Sequence, residues 1–140
     1  MKYIRSILTF LTAALFAVTA AAGDIQPMSF PNVTTVTAEE LLDLVDSEDN
    51  LVIVDSRTRG DYDKGHIPDV AYLINTETNA DSLAKILASK DTPVCFYCNG
   101  PKCARSGEAA QIAVEAGYSR VYWLRGGIAE WTEKGYPIEQ

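Results

Sequence analysis

Basic residues and histidine are scarce in this chain. Its 140 residues contain 12 lysines and arginines against 19 aspartates and glutamates, which gives a formal net charge of −7 at pH 7. This balance argues against a nucleic-acid-binding protein, which needs a basic face. The single histidine argues against a zinc site, and we predict neither a metal nor a cofactor. An anionic substrate would have to be attracted by local groups, because the whole protein repels it.

Cysteine is also scarce, and its distribution is uneven. The three cysteines, Cys95, Cys98 and Cys103, all lie within nine residues of one another. A disulfide framework would spread its cysteines along the chain. The sequence therefore concentrates its thiols at one site instead of using them to staple a small fold.

A long apolar run occurs only near the N-terminus. Lys2 and Arg5 precede the mostly apolar residues 7–18, and small residues at 20–22 precede Gly23. This order is typical of a secretory signal peptide, so we predict a signal peptide over residues 1–22 and a periplasmic or secreted protein. The alternative is an uncleaved membrane anchor, for which the apolar run is short. After export the thiols would lie in an oxidising compartment.

For the sequence after the signal peptide, we predict an extended lead-in over residues 23–36 and one domain over residues 37–140. Thr37 and Glu40 form a capping-box pattern at the start of the first helix. Strands alternate with helices, which predicts an α/β fold with an open parallel sheet flanked by helices on both faces. We predict strands at 51–54, 70–74, 93–97 and 120–124, a first helix from 38 that ends between 47 and 50, and further helices at 60–64, 81–90, 106–116 and 128–134.

The segment Cys98–Ser106 follows the buried strand at 93–97 and precedes a helix. Parallel sheets place their sites at the carboxyl ends of strands. A helix N-terminus favours negative charge, so a Cys98 thiolate would be stabilised and nucleophilic near neutral pH. Asp55 to Arg57 follow another strand and should lie at the same edge of the sheet.

Four motifs follow one another along the chain and cover most of residues 37–138. They are Asp55-Ser56-Arg57, Asp61 to Pro68, Cys98 to Ser106, and Leu124 to Trp131 with Gly135-Tyr136-Pro137. Together they are far more specific than any one alone, and in this order they resemble the motifs of single-domain rhodaneses, which are sulfurtransferases.

The resemblance implies that Cys98 accepts sulfane sulfur as a persulfide from a small anionic donor such as thiosulfate. A thiol or another thiophile would then remove the outer sulfur. The substrate-binding residues would be those of the same loop, with Arg105 fixing the loop or a donor oxygen and Lys102 adding charge at the rim. The expected set is Asn99, Gly100, Lys102, Cys103, Ala104 and Arg105.

Two features of the loop depart from the family pattern. Six residues separate Cys98 from Arg105, two more than in the common sulfurtransferase loop, which leaves the donor specificity open. Related phosphatases have an intermediate spacing, and nothing in the sequence suggests a phosphorylated substrate. The second departure is Cys103, which would be either a resolving thiol for Cys98 or an unpaired loop residue.

Two alternatives to the sulfurtransferase therefore stay open. One is a redox-responsive protein that uses Cys98 and Cys103 with a periplasmic redox or sulfur-relay partner. The other is a non-catalytic module that carries sulfur or docks a partner. We predict that Cys95 packs in the core and that Arg57 either contacts Asp55 or is a solvated charge. We also predict a structural role for His66, because a ring of backbone N–H groups would remove the need for a catalytic base.

Overall fold

The computed structural model describes residues 23–140, so the predicted signal peptide lies outside the described residues. Five parallel strands form one open sheet in the order β1-β5-β4-β2-β3. The central strand β4 is therefore flanked by β5 and β2. The strands are β1 (Val33–Val36), β2 (Val52–Asp55), β3 (Ala71–Tyr72), β4 (Val94–Tyr97) and β5 (Val121–Leu124).

Five α-helices connect these strands, and local signals set their ends. The Thr37 side chain accepts a hydrogen bond from the Glu40 N–H, and the Glu40 side chain accepts one from the Thr37 N–H, which completes the predicted capping box. Gly117 has φ +91°, as expected just beyond a helix end. The helices are α1 (Ala38–Ser47), α2 (Arg59–Lys64), α3 (Ala80–Ile86), α4 (Arg105–Glu115) and α5 (Gly127–Glu133).

The sheet separates two apolar layers, which confirms the predicted fold class. Along β4, Val94 and Phe96 pack with residues of α3 and α4 on one face. Cys95 and Tyr97 pack with residues of α1 and α5 on the other. This alternation follows from the two-residue period of a strand. Because all four side chains are fully buried, β4 is a rigid support for whatever follows it.

Both edges of the sheet differ from the predictions. Val33–Val36 is a strand, whereas the sequence indicated only an extended lead-in there; its four residues are too few to show a clear alternation. The predicted strand at 70–74 is reduced to Ala71–Tyr72, and a short 3₁₀ helix follows at Asn75–Glu77.

The predicted helix at 81–90 ends already at Ile86. Among residues 23–140, no helix is long and apolar enough to cross a membrane.

Candidate active site

Cys98 occupies the junction between the central strand and a helix. It directly follows β4, and α4 begins at Arg105, so the residues 98–104 form a short loop at the carboxyl end of the sheet. The Cys98 residue is only 1% exposed. We call residues 98–104 the cysteine loop. Its position is the one predicted from the strand and helix patterns on either side.

The cysteine loop is closed by a disulfide between Cys98 and Cys103. The Cα atoms of the two residues are 6.1 Å apart, within the ordinary range for a disulfide. The Arg105 Nη1 atom lies 3.8 Å from the Cys103 sulfur. Of the two roles considered for Cys103, the structure therefore shows it paired with Cys98. In this state Cys98 carries no free thiolate.

The N-terminus of α5 holds the cysteine loop from one side. The Ile128 N–H donates to the Cys98 carbonyl at 2.9 Å, and the Ala129 N–H donates to the Asn99 carbonyl at 3.1 Å. Gly127 has φ +61°, and a Cβ at this position would lie 2.4 Å from the Cys98 carbonyl oxygen. The close approach of helix and loop thus requires glycine here.

The segment 23–32, which we call the N-terminal strap, holds the loop from another side. The Gln26 N–H donates to the Pro101 carbonyl at 2.8 Å. Arg125 fixes the strap in turn, since its guanidinium donates to the carbonyls of Gln26 and Pro27, each at 2.8 Å. The sequence predicts only an extended lead-in for this segment. No local pattern in it indicated a contact with the cysteine loop.

A groove of about 980 Å³ opens beside the cysteine loop. Lys102 is exposed at its rim, and Arg105 and Cys103 are half-buried in its wall. Glu108 adds an acidic group and accepts a hydrogen bond from the Asn75 amide at 2.6 Å. The groove therefore combines two cations with one carboxylate, which gives a local positive excess on an acidic protein.

Several backbone donors of the cysteine loop have no partner of their own. Within residues 23–140, the N–H groups of Asn99, Gly100, Lys102 and Ala104 find no hydrogen-bond acceptor, whereas the Cys103 N–H donates to the Gly100 carbonyl at 3.0 Å. Successive backbone N–H groups in a tight turn, next to a helix N-terminus, are suited to bind an anion. The predicted substrate-binding residues are thus neighbours in one loop that could hold a small oxyanion.

Arg57 lies outside the groove lining and forms a buried network. Its guanidinium makes a bidentate contact with Asp55, with Nη2 to Oδ2 at 2.7 Å, and also donates to the Gly65 carbonyl at 2.7 Å. Tyr97 donates its hydroxyl to Asp55 at 2.5 Å and accepts from the Ile67 N–H. Asp55 and Arg57 therefore tie β2 to β4 and to the turn after α2, as the structural prediction expected.

His66 and Cys95 also lie away from the cysteine loop. The His66 ring stacks on Tyr62, its Nδ1 lies 3.1 Å from the Tyr62 carbonyl, and its Nε2 lies 3.5 Å from Glu139. Cys95 is fully buried, and this burial raises the pKa of its thiol to about 12. Among residues 23–140, no group of three or more histidine, cysteine or acidic side chains could hold a metal ion.

Comparison with known proteins decides the family. The model of the Rhodanese-like domain matches residues 37–134. The chain belongs to the rhodanese-like domain family. The uncharacterized protein YibN of Escherichia coli is 33% identical over 107 residues, which are 76% of this chain and 72% of YibN. A protein named Sulfurtransferase from Allochromatium vinosum is 32% identical over 106 residues, 76% of this chain and 94% of that protein.

Solved rhodanese-like structures agree with this assignment. The crystal structure of the BH2092 protein from Bacillus halodurans superposes with a TM-score of 0.65 at 28% identity, covering 76% of this chain and 74% of that one. In this rhodanese-like domain, the disulfide-closed cysteine loop at the end of β4 is the feature that any proposal about activity has to explain.

Proposed function

We propose that this rhodanese-like domain is an exported sulfurtransferase that moves sulfane sulfur from a thiosulfate-like donor to a thiophilic acceptor through Cys98. The observation that carries the proposal is Cys98 itself, which follows the central strand and begins a loop in which four N–H groups find no acceptor among residues 23–140. Relatives named Sulfurtransferase and thiosulfate sulfurtransferase, each about 30% identical, support the same chemistry.

The reaction begins from the reduced loop. The Cys98 thiolate attacks the outer sulfur of thiosulfate, a sulfur–sulfur bond forms to Cys98, and the donor's own sulfur–sulfur bond breaks. Sulfite leaves with the bonding electron pair, and Cys98 retains a persulfide. The N–H groups of Asn99, Gly100, Lys102 and Ala104 would hold the anionic donor and persulfide. Such preorganised donors stabilise developing negative charge without a titrating base.

The thiocyanate assay tests this proposal. Protein reduced with dithiothreitol, freed of the reductant and mixed with thiosulfate and a large excess of cyanide should form thiocyanate and sulfite, because the excess cyanide takes the outer persulfide sulfur in competition with any thiol of the loop. Cys98→Ala should abolish turnover. Cys95→Ala is the matched control, because Cys95 is a buried thiol on the strand and not in the loop, and it should retain activity. The absence of a Cys98 persulfide with thiosulfate would refute the thiosulfate-type assignment.

Export is the part of the proposal that rests on the sequence of residues 1–22. The signal-peptide pattern and the disulfide agree, because disulfides persist in oxidising compartments. The intact mass of the protein isolated from its native cells measures cleavage directly. A mass that corresponds to a chain beginning near Gly23 supports export, and a chain that retains residues 1–22 in the cytosol contradicts it.

A second candidate function follows from the Cys98–Cys103 bond. A thiol–disulfide exchange protein would need an accessible pair of this kind and a redox partner. Such a protein would reduce a substrate disulfide, or oxidise a substrate dithiol, in the absence of any sulfane donor. An insulin-reduction assay separates the two functions, because the sulfurtransferase requires a sulfane donor for every turnover.

A further inference from the structure

We propose that Cys103 resolves the Cys98 persulfide, so that the protein releases the transferred sulfur as hydrosulfide and ends each turnover with the Cys98–Cys103 disulfide. This inference rests on the proposed function, since the persulfide must form first. It assigns the thiol that displaces the transferred sulfur to a residue of the chain itself. It also defines the class of partner that must act next, namely a dithiol reductant.

Backbone contacts, and not the disulfide alone, bring the two cysteines together. The Cys98 carbonyl is bound by the Ile128 N–H, and the Pro101 carbonyl is bound by the Gln26 N–H. The Cys103 N–H donates to the Gly100 carbonyl at 3.0 Å and closes a tight turn that contains the second anchor, Pro101. These hydrogen bonds do not involve sulfur, so they can hold Cys103 near Cys98 after the disulfide is reduced.

The surroundings of Cys103 suit an attacking thiolate. The Arg105 Nη1 atom, 3.8 Å from the Cys103 sulfur, places positive charge beside it. Lys102 adds a second cation next in the chain. Cationic groups near a cysteine favour the thiolate, which is the nucleophilic form. By contrast, Cys95 is enclosed by apolar side chains and has a raised pKa, so it is unsuited to this role.

The step balances without an outside oxidant. The Cys103 thiolate attacks the inner sulfur of the persulfide, which is the Cys98 sulfur, and the disulfide bond forms. The bond from the Cys98 sulfur to the outer sulfur breaks, and the outer sulfur leaves with the electron pair as hydrosulfide. The sulfane sulfur is thereby reduced and the two thiols are oxidised to a disulfide. The reaction follows the ordinary course of thiol–disulfide exchange.

A dithiol must then restore the reduced loop. Cys98 is 1% exposed, whereas Cys103 is half-buried in the wall of the groove. An incoming thiolate therefore meets the Cys103 sulfur first and forms a mixed disulfide there. This attack expels Cys98 as a thiolate that is ready for the next donor. The second thiol of the partner then releases Cys103, and the partner leaves oxidised.

A single-turnover experiment tests the resolving role. Wild-type protein and the Cys103→Ser variant are reduced, desalted under nitrogen and mixed with one equivalent of thiosulfate. Sulfite and sulfide are quantified, and each protein is acid-quenched for intact mass and peptide mapping. Wild type should release one equivalent each of sulfite and sulfide and form the Cys98–Cys103 disulfide. Cys103→Ser should release sulfite but retain sulfur on Cys98 until dithiothreitol is added.

The outcomes separate this inference from the proposed function. If wild type retains its persulfide as long as Cys103→Ser does, Cys103 is not a resolving thiol, although sulfur transfer stands. Sulfur found on Cys103 would equally overturn the inference, because it shows attack on the outer sulfur. If neither protein releases sulfite or gains sulfur, the proposed function fails too. Cys95→Ala is the control and should behave as wild type. If Cys103→Ser misfolds, the sulfide yield of wild type tests the inference by itself: one equivalent supports a resolving role for Cys103, and no sulfide contradicts it.

Discussion

Replacing Gly127 with alanine should destabilise both the fold and the cysteine loop. Gly127 has φ +61°, and its added Cβ would lie 2.4 Å from the Cys98 oxygen and 2.7 Å from the Gly100 nitrogen. Both neighbours are backbone atoms that cannot rotate away. A left-handed alanine costs roughly 1–2 kcal/mol, and overpacking costs about 1–3 kcal/mol. We therefore expect Gly127→Ala to lose about 2–5 kcal/mol of unfolding free energy.

Gly117→Ala is the matched control for this prediction. Gly117 also has a positive φ, of +91°, but nothing lies within 4 Å of a Cβ built there. Gly117→Ala should show only the cost of placing alanine in the left-handed conformation. The unfolding free energies of the two variants should therefore differ by the overpacking cost, about 1–3 kcal/mol. Urea unfolding followed by tryptophan fluorescence measures this difference. Thiocyanate formation should fall in Gly127→Ala alone. Equal stability losses in the two variants would refute the packing argument.

Four further results are expected. Without reductant, the native protein should show no reactive thiol, and denaturation should expose one, that of Cys95. Denaturation with reduction should expose all three thiols. A reactive thiol in the native, unreduced protein would contradict the disulfide. Asp55→Asn should lower the unfolding free energy by about 3–5 kcal/mol, because it leaves the Arg57 cation buried without its partner. Ser106→Ala should cost about 1–3 kcal/mol, since the buried Trp123 indole N–H loses its 2.8 Å acceptor, and an unchanged midpoint would contradict this. A hydrogen bond from Thr58 and, to a smaller extent, one from Asn99 hold the pKa of Asp61 below its ordinary value of 3.8. The ionised Asp61 therefore stabilises the fold above pH 3.8, and this stabilisation is lost as the pH falls through the lowered pKa of the folded state. Asn99→Ala should raise the pKa of Asp61 in an NMR titration.

The sequence predicted the central part of the molecule well because its signals are local and strong. Four of the five strands lie within or almost within the apolar runs that predicted them, although β3 is much shorter than its run, and the Thr37 capping box forms as its pattern indicated. The position of Cys98 followed from a buried strand on one side and a helix on the other. The structural roles of Cys95 and of the Asp55–Arg57 pair are also seen in the structure.

What the sequence did not reveal depends on contacts between distant residues. The N-terminal strap reaches the cysteine loop only because Arg125 binds the strap carbonyls about a hundred residues away in the chain. Strand β1 consists of valine and threonine, which favour strands, but its four residues are a short signal, and its pairing with β5 is what defines it. The Cys98–Cys103 bond remained one of two alternatives because spacing alone does not determine how a loop folds back. Each of these features requires the tertiary fold.

The anchoring of the cysteine loop decides what its disulfide can mean for activity. A loop held only by a disulfide would lose its shape on reduction and would have to be rebuilt in every cycle. Here α5 binds the carbonyl groups of Cys98 and Asn99, the N-terminal strap binds that of Pro101 inside the turn, and none of these bonds involves sulfur. Reduction therefore frees Cys98 while the unpartnered N–H groups keep their places. The same backbone can serve the closed disulfide and the open, anion-binding loop, so alternation between the two requires motion of little more than two side chains.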